Sequence, residues 1–227
     1  MTVKFMESRY LDSELIKQKV EQGNHRLIVG GMWNELGQLQ FEYLKTAGLK
    51  PKNNLLDIGC GSLRGGLKFI PYLQPRHYYG FDLNIKLIEA GLAVEVKNAG
   101  LDHRVHIDNF AAAKNFNFPS RWPQMDVALG FSLLTHLNYQ SLSICLKKTA
   151  GVLKKGGKFY ATVFEVGADV IDKPREQIPG ITTYPDKDPY HYSREQLSDV
   201  AIMNGFTLID IENFGHPRHQ KMAIFEK

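Results

Sequence analysis

Leu55-Leu56-Asp57-Ile58-Gly59-Cys60-Gly61-Ser62-Leu63-Arg64-Gly65-Gly66 joins a short apolar run to a glycine-dense segment, and the apolar stretch Leu67 to Leu73 follows directly. A run of this length bounded by glycine reads as a buried strand, and the glycines read as a loop that opens a helix. The alternation continues downstream. A second strand, His77 to Phe81, ends at Asp82, and a helix from Asn84 to Ala99 carries Ile85, Ile88, Leu92, Val96 and Ala99 on one face. A third strand, Arg104 to Ile107, ends at Asp108-Asn109-Phe110. A fourth, Met125 to Gly130, precedes a helix from Asn138 to Leu153, and Gly156-Gly157 turns into a strand from Lys158 to Phe164. This order specifies an α/β, Rossmann-like, doubly wound sheet, mostly parallel, with helices on both faces and right-handed crossovers. Ligands of such sheets bind beyond the carboxyl ends of the strands.

Upstream, Leu36, Leu39, Tyr43 and Ala47 recur at helical spacing between Asn34 and Gly48, and an earlier helix is expected over residues 11–22. Gly30-Gly31 forms a hinge between them. Downstream, residues 165–192 hold four prolines and no period, which reads as a long loop. The capping-box sequence Ser193-Arg194-Glu195-Gln196 opens a helix that Gly205 stops. Phe206 to Ile211 and Lys221 to Phe225 are strands whose link is too short for a parallel crossover, so the last strand of a seven-stranded sheet is expected to be antiparallel. The chain therefore divides, within one domain, into a helical cap (1–50), a core (51–164), a substrate loop (165–192) and a closing helix with a strand pair (193–227).

Composition narrows the partners. The chain has 227 residues, enough for one sizeable core, and its 43% hydrophobic content with 13 Phe and 10 Tyr excludes a disordered chain. A net charge of +4 with dispersed charges marks no nucleic-acid surface. Cys60 and Cys145 follow no metal-ligand spacing and form no disulfide framework, so no metal is expected and a reducing, cytoplasmic compartment fits. The opening residues lack the apolar core of a signal peptide, and the uncharged stretch Val127 to Leu146 carries too many polar groups for a membrane span.

Gly59, Gly61 and Gly65 give G-x-G-x-x-x-G, with Arg64 where a dinucleotide fingerprint has its third glycine. Asp82 follows Gly59 by 23 residues at the end of the next strand, where it can hold a ribose diol. Asp57, just before the loop, repels a pyrophosphate but favours an ammonium and a sulfonium. Charge complementarity thus prefers S-adenosylmethionine to NAD.

Leu55-Leu56-Asp57-Ile58-Gly59-Cys60-Gly61, Phe81-Asp82, Asp108-Asn109-Phe110, Asp126-Val127-Ala128-Leu129-Gly130-Phe131-Ser132 and Leu153-Lys154-Lys155-Gly156-Gly157-Lys158-Phe159 together resemble the motifs of class I S-adenosylmethionine-dependent methyltransferases of the small-molecule type. The resemblance spans roughly residues 50–227. It implies that Gly59 and Gly61 pack against the methionine portion, that Asp82 binds the ribose, and that Asp108 and Asn109 contact the adenine. Leu63 and Arg64 depart from the small residues of many relatives; Arg64 either pairs with the methionine carboxylate or is an exposed arginine in the first turn.

Methyl transfer to oxygen needs alignment, water exclusion and a base. His191, flanked by Tyr190 and Tyr192, is the first candidate base, with His216 and then His136 behind it. Trp33 and Tyr190 are candidate substrate contacts, and Arg218 can hold a phosphate or carboxylate. Each has a structural alternative: a packed loop anchor for His191, a solvated turn for Arg218, a core anchor for Trp33. The expected acceptor is a small molecule, with an oxygen of a sugar, nucleotide-linked or natural-product intermediate in front and some leaning to an anion. An NAD-linked oxidoreductase, an RNA or protein methyltransferase and a non-catalytic relative are the competing readings.

Overall fold

The computed structural model describes residues 13–227. Residues 11 and 12 of the expected first helix lie outside that range. Strand β1 (Leu55–Ile58) is buried on both faces, which explains why its sequence is apolar without alternation. Leu56 and Ile58 join one core cluster and Leu55 the other. The remaining strands of the main sheet before the long loop are β2 (Tyr78–Asp82), β3 (Phe110–Ala112), β4 (Met125–Gly130) and β5 (Leu153–Val163). Residues 175–183 form a separate antiparallel ribbon, β6 (Arg175–Ile178) with β7 (Ile181–Thr183), and the chain ends in β8 (Thr207–Glu212) and β9 (Lys221–Glu226).

The main sheet has the order β3-β2-β1-β4-β5-β9-β8. Its first five strands are parallel, and β9 runs antiparallel between β5 and β8. The order reverses between β1 and β4, so their carboxyl ends splay apart and leave a crevice there. Helices α1 (Ser13–Glu21), α2 (His25–Ile28), α3 (Trp33–Thr46), α4 (Gly66–Tyr72) and α5 (Ile85–Ala90) precede α6 (Tyr139–Val152) and α7 (Arg194–Met203). Leu36 and Leu44 of α3, Phe69 and Ile70 of α4, and Ile88 of α5 fill one side of the sheet; Leu142 and Leu146 of α6 with Leu197 and Val200 of α7 fill the other. At α7 the expected capping box is complete: Ser193 accepts from the Gln196 N–H, and Gln196 accepts from the Ser193 N–H.

Two expectations are corrected, and one helix differs in its winding. Residues 104–107 are not a strand: Asp102–Arg104 and Ile107–Asn109 are short 3-10 turns, and β3 starts only at Phe110. Val105 and Ile107 alternate as a strand would, but Ile107 is 65% exposed and Arg104 is bent back onto the carbonyls of Ile70 and Leu73. The helix expected to Ala99 widens after α5 into a π-helical segment, Gly91–Val96. The proline-rich segment is not all loop, because Gly180, at φ +84°, turns β6 into β7.

The π-helical segment carries Glu95, which ties the cap to the core. Its Oε1 accepts from Arg26 Nε at 2.6 Å and meets His25 Nε2 at 2.7 Å, while Oε2 accepts from Arg26 Nη2 at 2.8 Å. Glu95 is buried, and the Arg26 hydrogen bond, above all, holds its carboxyl below the usual glutamate range. A depressed value means that the clamp stabilises the fold above the unfolded pKa and is lost as the pH falls through the folded one. Arg26 is half-exposed, which discounts its share. We expect Glu95→Ala to cost about 1–3 kcal/mol at neutral pH in urea unfolding, with the gap to the unsubstituted protein closing as the pH drops below the ordinary glutamate value.

Candidate active site

The crevice between β1 and β4 is a cavity of about 360 Å³. Asp57, Gly59, Gly61, Arg64 and Asp82 line it from the β1 and β2 side, and Phe131, Ser132, His136 and Asn138 from the β4 side. Lys114, Asn115 and Phe116 close it beyond β3, Asp188 and Tyr190 reach it from the proline-rich segment, and Val29 and Gln40 cover it from the cap.

Gly61 is where these walls meet. Its N–H donates to Asp82 Oδ2 at 2.8 Å, and the other Asp82 oxygen accepts from the Asn84 N–H at 2.9 Å. Asp82 is thus fixed at the strand end with lone pairs left for a diol, and burial raises its pKa. Gly61 has φ +53°, and a Cβ there would come within 2.6 Å of Val29 Cγ1. Any other residue type would be strained at this φ and would have to push the Val29 side chain aside. Asp57 is buried and accepts from the Tyr78 hydroxyl at 2.6 Å. Loss of hydration pushes its pKa up to about 6, against the lowering effect of the Tyr78 hydrogen bond.

His136 is held by a carboxylate that the sequence did not point to. Its Nδ1 lies 2.6 Å from Asp188 Oδ1, and both side chains are about a quarter exposed to the cavity. Because a carboxylate only accepts, the contact places the proton on Nδ1 and the basic lone pair of the neutral ring on Nε2. The Tyr190 N–H donates to Thr135 O at 2.7 Å, which pins the Asp188 segment beside the His136 turn.

The other candidate residues are elsewhere. His191 is buried away from the cavity: its Nε2 donates to Ile171 O at 2.9 Å, so its Nδ1 accepts from the Thr183 hydroxyl at 2.8 Å. It anchors the β6–β7 ribbon and is no base. His216 is also buried outside the cavity wall, with Nδ1 accepting from the Arg218 N–H. Burial, then Arg218 and Arg64, lower its pKa to about 4, so it is neutral at physiological pH. Arg218 donates to Gly30 O at 2.6 Å and does not line the cavity, which removes its expected role as an anion site. Trp33 packs edge-on to His25 beneath Arg26 and is a cap anchor. Asp108 and Asn109 fall at the wrong end of β3, since the strand starts after them. Asp108 is exposed, and Asn109 donates to the carbonyls of Arg76 and Tyr78 at the start of β2.

Beyond β3 the cavity is lined instead by Lys114 to Phe116. Asn115 and Phe116 have φ +58° and +53°, a conformation unfavourable to non-glycine residues and concentrated at ligand sites. Arg64 does line the cavity, and its Nη1 donates to Val29 O and Gly31 O. Among the described residues, no three His, Cys, Asp or Glu side chains converge as metal ligands, and no helix is long and apolar enough to cross a membrane.

No family model matches the chain. Solved structures do. The chain superposes with a TM-score of 0.66 on magnesium protoporphyrin IX methyltransferase from Synechocystis PCC 6803 with bound S-adenosylhomocysteine, at 12% identity over 95% of this chain and 100% of that one. An O-methyltransferase family protein from Burkholderia thailandensis gives 0.67 at 14% identity, over 93% of this chain and 62% of that longer one. The 1,6-didemethyltoxoflavin-N1-methyltransferase of the same organism gives 0.62 at 16%, over 95% and 86%. The chain has the Rossmann-like methyltransferase fold. Those proteins include enzymes named for transfer to oxygen and to nitrogen, so the fold leaves the acceptor atom open.

Asp57 carries a stability consequence. Its folded pKa of about 6 stands above the unfolded 3.8, so the folded state binds the extra proton and stability falls as the pH rises through that interval. The penalty is on the order of 3 kcal/mol once the group is fully ionised. Asp57→Asn keeps an acceptor for Tyr78 and removes the charge. We expect its melting temperature to exceed that of the unsubstituted protein at pH 8 and to approach it at pH 4.

Proposed function

We propose that the chain is an S-adenosylmethionine-dependent methyltransferase acting on a small-molecule acceptor, with a hydroxyl oxygen of a sugar, nucleotide-linked or natural-product intermediate in front. The observation that carries this reading is that one cavity holds both a nucleoside-type acid, Asp82, and a histidine polarised by a carboxylate, His136 with Asp188. The donor set fits the cofactor: Asp57 would face its cationic groups and Asp82 its diol, with Gly59 and Gly61 of the glycine loop in the cavity wall between them. Lys114 to Phe116 would flank the nucleobase.

When bound, the cofactor supplies a methyl group on a sulfonium whose positive charge disappears in transfer. Everything else is the work of this chain. Asp57 is ionised above its pKa and complements an ammonium beside the glycine loop. His136 Nε2 accepts the proton of an acceptor hydroxyl, and Asp188 holds the ring in register and stabilises the imidazolium that forms. Phe131, Leu133, Leu137 and Tyr190 make the walls that exclude water. Arg218 is committed to Gly30 and lends no support to an anionic acceptor.

Calorimetric titration with S-adenosylhomocysteine, with NADH in parallel, tests the cofactor; binding of NADH alone would overturn the reading. Asp82→Ala is expected to weaken S-adenosylhomocysteine by about 1.5–3 kcal/mol. Affinity should also fall as the pH drops below about 6, where Asp57 takes up its proton, and Asp57→Asn should flatten that dependence. In a screen of hydroxylated acceptors with labelled S-adenosylmethionine, His136→Ala is expected to lower turnover by about 100-fold or more, with cofactor affinity kept. Asp188→Asn should lower turnover less than His136→Ala does. Full turnover by the His136 variant would remove the base.

A further inference from the structure

Three consecutive backbone carbonyls of the cap are each taken by an arginine from the core. Arg64 Nη1, from the glycine loop, donates to Val29 O at 2.8 Å and to Gly31 O at 3.1 Å. Arg218 Nη2, from the connection between β8 and β9, donates to Gly30 O at 2.6 Å. Gly30, Gly31 and Met32 are all left-handed, at φ +89°, +63° and +46°. Glycine adopts this conformation without strain, so only Met32 is unfavourable by itself and is held by its surroundings. Gly30 also lacks the room for a side chain, since a Cβ there would stand 3.1 Å from Arg218 Nη1. The segment 29–31 presents Val29 to the cavity, pressed against Gly61, while the rest of the cap is tied on separately through Glu95.

We propose that residues 29–31 form a strap over the cofactor end of the cavity, that Arg218 is the positioning residue that pins it, and that its release is the step through which the cofactor exchanges. This rests on the cofactor reading above. Two features favour a strap over a fixed wall. The two arginines approach from different elements, and Arg64 holds both Val29 O and Gly31 O through one nitrogen, so once the Arg218 bond opens the segment hangs on a single side chain that can swing with it. The left-handed run, with glycine at two of its three positions, puts a hinge within the pinned segment itself. Arg218 reaches the cofactor only through Gly30, which separates its role from that of a ligand contact.

Surface plasmon resonance of S-adenosylhomocysteine over the immobilised full chain tests this. Removing the pin in Arg218→Ala is expected to raise the association and dissociation rates together, each by about tenfold, with the equilibrium constant changed by less than about threefold. Arg218→Lys keeps one donor for Gly30 O and should restore the slower exchange. Gly31→Ala, which strains the hinge at φ +63° without meeting any neighbour, is a second route to faster exchange should the arginine variant fold poorly. Dissociation alone speeding up, with affinity lost in proportion, would make Arg218 an ordinary structural contact and overturn the strap. So would unchanged rates in folded Arg218→Ala, or in Gly31→Ala where the arginine variant does not fold. Failure of S-adenosylhomocysteine to bind the unsubstituted chain would instead remove the cofactor reading, and this inference with it.

Discussion

The hydrogen bond from the Gly61 N–H to the Asp82 carboxylate joins the parts of this molecule that matter for its chemistry. It fixes the end of β1 to the end of β2, and it orients Asp82 among the acids that line the crevice. On its other side Gly61 has no space for a Cβ because Val29 of the cap lies against it. A single residue thus sets the distance between sheet, acid and cap. The reversal of strand order between β1 and β4 makes the opening, and this contact ties together the two strand ends on one side of it.

Electrostatics around that opening are costly. Asp57 is buried with the Tyr78 hydroxyl as its hydrogen-bonding partner, and loss of hydration, with the charge of Asp82, keeps its carboxyl protonated up to about pH 6. A fold selected for stability alone would place an amide there. The ionised acid is useful only to a positively charged ligand, so the strain it brings is of the kind expected at a functional site. Glu95 shows the opposite case. It is also buried, yet Arg26 supplies charge and donors and His25 a further hydrogen bond, and its ionised form is the stable one.

Much of the fold was legible from residue pattern. β1 and β4 were delimited to the residue, because a short apolar run between turn signals has few other readings. The capping box and the antiparallel closing pair were equally plain. The weak point was β3, where Phe110–Ala112 is too short and too bland to announce itself and Val105 and Ile107 imitate a strand. That slip moved the expected adenine contacts to Asp108 and Asn109. A shift of a few residues in a strand end carries side chains to the opposite edge of the sheet, and the residues that line the cavity beyond β3 are Lys114 to Phe116.

The sequence alone determined the sheet, its loop of glycines and the acids at the ends of β1 and β2, because each depends on neighbours within a few residues. Tertiary structure decided which histidine faces the cavity. His191, His216 and His136 all occupy connections at the expected edge, and nothing local distinguishes them. His191 is consumed by Ile171 and Thr183, and His216 is buried as a neutral ring. His136 alone of the three meets a carboxylate in the cavity, and that carboxylate, Asp188, lies 52 residues away. Likewise Arg218 and Gly30, 188 residues apart, meet only because the strand pair folds back beside the cap. Hydrogen bonds between distant segments are set by packing geometry, which no local pattern of residues encodes.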